Sequence, residues 1–214
     1  MPRLLRYNLA PTLNGLIATL PSHSHAWIVP DASIDFAALY AEFDTFVMGR
    51  KTYETFLSLP AHENPLVGRA KEDVVVVTGG SQGGRRKEGW GDVTVIGSQG
   101  DAEVVRFVRR LKEEDAAASP GKEKKKDIWL MGGGRLAGLL MREGLVDVVE
   151  AAIMPVVIER GVGMFADGGE GTEEGERVWK LKLESVRAME SGIVMTRYRV
   201  VHEQGWTSGA HDGL

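Results

Sequence analysis

Four valines in a row, Val74–Val77, constrain the fold of this chain more than any other stretch. A strand with one wet face alternates apolar and polar residues. An unbroken β-branched run instead predicts a central parallel strand, covered by helices on both faces. The flanking segments agree. Leu4–Ala10, Thr45–Met48, Val93–Ile96, Ile128–Met131 and the apolar stretch Val146–Ile158, broken by Pro155, read as further strands. Between them, Ile34, Phe36, Ala37, Tyr40 and Phe43 fall at helical spacing behind Ser33 as the expected N-cap. Arg50–Leu57 reads as a short helix. Val104, Val108 and Leu111 mark the apolar face of another, and Leu136, Leu139 and Leu140 that of a fourth. Strands alternating with helices imply a mainly parallel sheet. Near the end, Trp179, Leu181 and Leu183 alternate with Lys180, Lys182 and Glu184, a half-exposed strand. Ile193–Val201 returns beside it, so the sheet is expected to close with an antiparallel hairpin.

A chain of 214 residues, 43% hydrophobic, suits one such domain. With no cysteine, disulfides, thiolate metal sites and a thiol nucleophile are excluded, and the chain is compatible with the cytoplasm. No apolar run is long enough for a membrane span, and Arg3 and Arg6 read as outward basic residues on the first strand. The net charge of −4 gives no field for nucleic acid. The basic run Lys122–Lys126 has no aromatic residue to stack on a base, so it reads as part of a solvated insertion. His23 and His25 lack a third ligand nearby and no cysteine is available, so no metal site is expected.

Chemistry is expected at two strand-to-helix junctions. In Phe46–Glu54 a buried strand ends at Gly49, and a helix starts with Arg50, Lys51 and Thr52. In Ile128–Leu136 a buried strand runs into Gly132, Gly133 and Gly134, followed by Arg135 and Leu136. A helix N-terminus presents free N–H groups and partial positive charge, which suit phosphate. Glycines let backbone approach a ligand with no side chain between. The glycine triplet is neither the G-x-G-x-x-G fingerprint nor a Walker A loop. Two such junctions on parallel strands point to a ligand at the carboxyl edge of the sheet.

The order Met48-Gly49-Arg50-Lys51-Thr52-Tyr53-Glu54, then strand-Gly132-Gly133-Gly134-Arg135, resembles the dihydrofolate-reductase-like superfamily. Within it, the segment Leu13-Asn14-Gly15-Leu16-Ile17-Ala18, the stretch from Leu145-Val146-Asp147 to Pro155, and Gly161–Phe165 resemble the reductase domain of the bacterial riboflavin-pathway deaminase-reductase. The likeness implies a three-layer α/β/α fold over residues 1–202; low complexity reads 113–126 as a disordered insertion within it, and 203–214 reads as a loose tail. It implies a homodimer through the late strands and NADPH as cofactor. On this likeness Gly49, Arg50, Lys51 and Thr52 hold phosphates, and Thr78 and Ser81 lie near the adenosine 2′-phosphate. Gly132, Gly133, Gly134, Arg135 and Leu136 pass the pyrophosphate and nicotinamide, and Ala10 and Ile17 hold the carboxamide. Folate-reducing relatives carry an acidic residue near the helix after the first loop. Asp31 and Asp35 are the candidates here, and Asp31 also suits a helix cap. The expected activity is hydride transfer to a small polar or heterocyclic C=N or C=O compound, such as a ribosylamino-pyrimidine or a pterin. No deaminase-like segment accompanies it, so a two-step enzyme is not expected. The alternative is an NADPH-binding protein of the same fold that has lost catalysis.

Overall fold

The computed structural model describes residues 2–79, 85–114, 124–166 and 177–202. Its strands are β1 (Leu5–Leu9), β2 (Leu16–Thr19), β3 (Phe43–Gly49), β4 (Val74–Val77), β5 (Thr94–Ile96), β6 (Asp127–Gly132), β7 (Val148–Ile153), β8 (Gly161–Gly163), β9 (Leu181–Ala188) and β10 (Val194–Val200). Its α-helices are α1 (Phe36–Tyr40), α2 (Arg50–Leu57), α3 (Asp101–Glu113) and α4 (Gly134–Arg142). The main sheet runs β5-β4-β3-β6-β1-β7-β10-β9, and β2 pairs with β8 as a separate ribbon. Every pairing from β5 to β7 is parallel, and β10 pairs antiparallel with both β7 and β9.

Strand pleating sends alternate residues to two cores. On one face Tyr7, Val47, Val75, Ile128 and Leu130 pack under α3 and α4, through Val104, Val108, Leu136 and Leu140. On the other Phe46, Met48, Val74, Val76 and Trp129 pack under α1 and α2, through Tyr40, Tyr53 and Phe56. The architecture is therefore a three-layer α/β/α sandwich. The valine run is covered on both faces, although β4 lies second from the sheet edge. Burying each such side chain contributes about 1.5–3 kcal/mol.

Several expectations change. The helix after Ser33 is only Phe36–Tyr40, buries no residue, and is capped by Asp35, whose carboxylate accepts from the Ala38 N–H at 2.9 Å. Phe43 opens β3 because its ring packs in the sheet core against Trp129. Arg3 and Arg6 are buried, at 2% and 5% exposure, not outward. Arg3 donates to the Lys126 carbonyl and to Thr45 Oγ1, and Arg6 reaches three carboxylates. The stretch read as a loop from Gly161 begins with β8, and β9 is exposed along its whole length rather than half-buried. Glu113 belongs to α3, and Lys126 is held by the Asp44 carboxylate and the Ala41 carbonyl. The insertion between those flanks and the tail from 203 lie largely outside the described residues.

Candidate active site

Both junctions form because strand, glycine and helix follow one another without a competing cap. Gly49 is the N-cap of α2 and Gly133 that of α4, and neither helix start receives a side-chain cap. Gly132 and Gly133 have φ of +145° and +93°, which side-chain-bearing residues rarely adopt. The Ala137 N–H is bonded to the Gly133 carbonyl. The N–H groups of the three residues before it therefore have no partner inside the helix.

The register brings the two starts together. Met48 on β3 pairs with Gly132 on β6. A Cβ placed on Gly133 would lie 3.8 Å from Gly49 Cα and N, and one on Gly132 would lie 3.4 Å from Thr52 Oγ1. Arg50 and Arg135 thus stand on one rim of the sheet, beside Lys51 and Thr52. Two uncapped helix starts with three cations make this rim an electropositive cradle, the chemistry that suits an anion.

The β2–β8 ribbon crosses this rim. Leu16 pairs with Gly163, and Thr19 with Gly161. The segment after β8 is tied to the Gly15 carbonyl by the Met164 N–H and to the Gly134 carbonyl by the Ala166 N–H, each at 3.0 Å. Tyr7, whose phenol is pushed up by burial, donates to the Met164 carbonyl at 2.7 Å. Gly134 is required by this approach, since a Cβ there would meet the Gly163 carbonyl oxygen at 2.1 Å. Ala10, just beyond β1, and Ile17, on the ribbon, are both half-buried at this end of the sheet. Leu136 turns inward to the core while Arg135 is exposed.

Thr78 lies at the same edge of the sheet, since Val77 on β4 pairs with Gly49. Thr78 follows β4, but its side chain is buried and its hydroxyl donates to the Ile96 carbonyl at 3.4 Å. Ser81 lies outside the described residues. Asp31 accepts from the Ser33 N–H at 2.8 Å, the Ser33 hydroxyl at 2.6 Å and the Ser191 hydroxyl at 2.5 Å. It thereby pins the loop before α1 to the turn between β9 and β10. Hydrogen bonds from Ser191 first, and from Ser33, hold the Asp31 carboxyl below the usual carboxylate range.

One group of charges was not foreseen. On the α1/α2 side of the sheet, Glu150 of β7 takes two bonds from Arg6, at 3.0 and 2.7 Å, one from Asn8 Nδ2 at 3.1 Å, and one from Arg197. Arg6 also stacks over Phe43, 4.4 Å from its ring centroid. Alternation along β1 put Arg6 and Asn8 on one face. Their partners, Glu42, Asp127 and Glu150, come from three distant segments and left no local pattern. Trp129 Nε1 donates to the Asn8 carbonyl at 2.9 Å, and its ring lies 5.5 Å from that of Tyr40. This polar floor lies beside an aromatic wall.

Residues 3–195 match the RibD C-terminal domain family. The uncharacterized protein YyaP of Bacillus subtilis (strain 168) is 28% identical over 205 residues, spanning 92% of this chain and 94% of its own. A putative riboflavin biosynthesis protein from Shewanella sp. PV-4 superposes with a TM-score of 0.66 at 18% identity, covering 94% of this chain and all of its own. Dihydrofolate reductase from Enterococcus faecalis superposes with a TM-score of 0.54 at 14% identity, over 92% of this chain and 96% of its own. The structural likenesses speak for the fold, and the sequence match carries the assignment: the chain belongs to the RibD C-terminal domain family.

Proposed function

We propose that the protein is an NADPH-dependent reductase that reduces a small polar or heterocyclic C=N or C=O compound, with a ribosylamino-pyrimidine or a pterin as candidate substrates. The observation that carries this is the pairing of two uncapped glycine helix starts, Gly49 and Gly133, on one rim with Arg50 and Arg135. The donor set fits a dinucleotide. Arg50, Lys51 and Thr52 at α2, and Arg135 with the first N–H groups of α4, suit its phosphates. The absence of side chains at Gly132 and Gly133 leaves room for the pyrophosphate and the nicotinamide. Bound there, the nicotinamide supplies the hydride. The chain's own part is to hold the acceptor against that ring, exclude water with the β2–β8 ribbon, and deliver a proton.

Three cations at the cradle favour the extra phosphate of NADPH over NADH. The test is a titration of NADPH fluorescence with wild type, Arg50→Ala and Arg135→Ala. Binding in the micromolar range is expected, weakened about 10-fold or more by each substitution. No change of fluorescence at tens of micromolar, or equal affinity for NADH, counts against the reading.

A second reading is favoured by one observation. Both candidate acids have structural duties, Asp35 as the cap of α1 and Asp31 as the tie to Ser191. Asp31, stabilised as the anion by Ser191 and Ser33, is a poor proton donor. An NADPH-binding protein without catalysis would bind cofactor and oxidise none across imines, pterins and carbonyls. If Asp31 does relay the proton, Asp31→Asn abolishes turnover and leaves NADPH affinity intact.

The proposed assembly is a homodimer through the late strands. β9 ends the sheet with Leu181, Leu183 and Val186 at 40%, 49% and 58% exposure, an apolar edge of the kind that a second copy covers. A monomeric mass by light scattering would count against it.

A further inference from the structure

The turn after β2 carries a group that the cradle described above does not include. His23 is the only non-glycine among the described residues with positive φ, at +53°. Thr19 holds the turn in shape. Its carbonyl accepts from the His23 N–H at 2.9 Å, and its hydroxyl accepts from the Ser24 N–H at 3.0 Å and meets the Ser22 hydroxyl at 3.0 Å. The result is that His23 Nε2 sits 2.8 Å from Lys51 Nζ, in the first turn of α2. An ammonium only donates, so in this contact Nε2 accepts from Lys51. Arg50 stands next to Lys51, and His25 belongs to the same turn. Burial first, and the neighbouring His23 second, push the His25 imidazole down. Glu54, one turn along α2, is engaged by Lys87 at 2.5 Å and does not serve this cluster. Lys51 and the His23 imidazole therefore meet at an uncapped helix start, with Arg50 next in sequence, and the one carboxylate on that helix, Glu54, is already paired.

We infer that His23 is an additional ligand for the cofactor's phosphates, and that it takes up a proton as the cofactor binds. This rests on the reductase reading. With the cradle empty, a protonated imidazole would face Lys51 at hydrogen-bond distance, charge against charge. Once a phosphate arrives, the lysine's protons turn to its oxygens. Nε2 is then free to be protonated and to donate to the same phosphate. The linkage has a fixed sign: binding raises the proton affinity of His23, so affinity strengthens as pH falls. The loop after β2 closes over the phosphates by this contact, which joins the ribbon to α2 across the cradle.

The test is NADPH titration by calorimetry near neutral pH in two buffers of different ionisation heat, which reads protons taken up per cofactor bound. It is applied to wild type, His23→Asn and His25→Asn. Asparagine tolerates the left-handed backbone that His23 adopts, so this variant should fold, and its Tm verifies that. The 2′-phosphate of NADPH also titrates in this range, so the quantity read is the difference between wild type and His23→Asn, in which that contribution cancels. Expected are a proton uptake in wild type and in His25→Asn that exceeds that of His23→Asn by a fraction of a proton, and an affinity advantage of wild type over His23→Asn of about five- to tenfold at about pH 6 that vanishes by about pH 8. Equal proton uptake in wild type and His23→Asn overturns the inference and leaves the reductase reading standing. So does loss of the uptake in His25→Asn instead. Failure of all three to bind NADPH at any pH removes both.

Discussion

Three strand-to-helix junctions open on the carboxyl edge of the sheet, and they divide into two kinds. At β3–α2 and β6–α4 the helix starts are bare. At β5–α3 the Glu103 carboxylate folds back and accepts from the Gly97 N–H at 3.2 Å, the Gln99 N–H at 2.7 Å and the Ser98 hydroxyl at 3.3 Å. The chain supplies its own anion there. The glycines that directly follow β5 and β6 differ, although the α3 N-cap Gly100 is as open as Gly133. A Cβ on Gly97 would meet the Thr78 carbonyl oxygen at 1.9 Å, whereas one on Gly133 would meet nothing nearer than 3.8 Å. Gly97 is glycine because protein backbone fills the space. Gly133 is glycine with the space left open. All three helix starts lack a side-chain cap, so a glycine-to-helix junction is a candidate site only where no internal carboxylate fills the loop before it.

The comparison breaks most visibly at the two glycines. Gly97→Ala places a methyl inside backbone at φ +109° and should destabilise the fold by about 3 kcal/mol, lowering Tm by about 10 °C. The molecules that remain folded should keep their NADPH affinity. Gly133→Ala meets only the strain of φ +93°, about 1–2 kcal/mol, yet should weaken NADPH binding about tenfold or more by narrowing the cradle. Thermal unfolding and fluorescence titration of the two variants separate packing from ligand. A Gly133→Ala protein with unchanged affinity would mean that the open space is not a site.

Much of this was legible in the sequence because it is local. The valine run, Arg50–Leu57 as a helix, and the strand-glycine-arginine order at both junctions are set by neighbours along the chain. The register that joins Gly49 to Gly133 followed from parallel strands ending at the same edge. What escaped depends on distant segments. β8 is three residues with glycine at each end, and pairs only because β2 lies beside it. Arg6 looks like a surface cation until Glu42, Asp127 and Glu150 converge on it. His23 and Lys51 are 28 residues apart, and only a left-handed turn brings them together. Glu103 does carry a local sign: it stands three residues after the α3 N-cap Gly100, where a side chain reaches back over the helix start.

That plug gives the next smaller effect. Glu103→Gln keeps the shape of the side chain and removes its charge, so the helix start loses its matched anion. The expected loss is about 1 kcal/mol in denaturant unfolding, with NADPH affinity unchanged. A Glu103→Gln protein that instead gains a measurable phosphate site at α3 would show that the third junction differs from the other two only by its occupant. Either result sharpens the contrast. Weakened NADPH binding would erase it, since the closed junction would then be coupled to the open ones.

The smallest effect is expected at the other internal carboxylate, Asp31, which ties the loop before α1 to Ser191. Its bonds to Ser191 and Ser33 favour the ionised form and hold its folded-state value below that of the unfolded chain. Such a group adds stability above the unfolded value, and that stability is lost as pH falls through the folded one. The Tm of wild type should therefore exceed that of Ser191→Ala near neutral pH, and the gap should close in acid. Solvent around the pair keeps the difference small. If the gap widened on acidification, the bond would favour the protonated acid. Asp31 would then be a proton donor held ready at the edge of the site, and its tie to Ser191 would belong to catalysis, unlike the plug at Glu103.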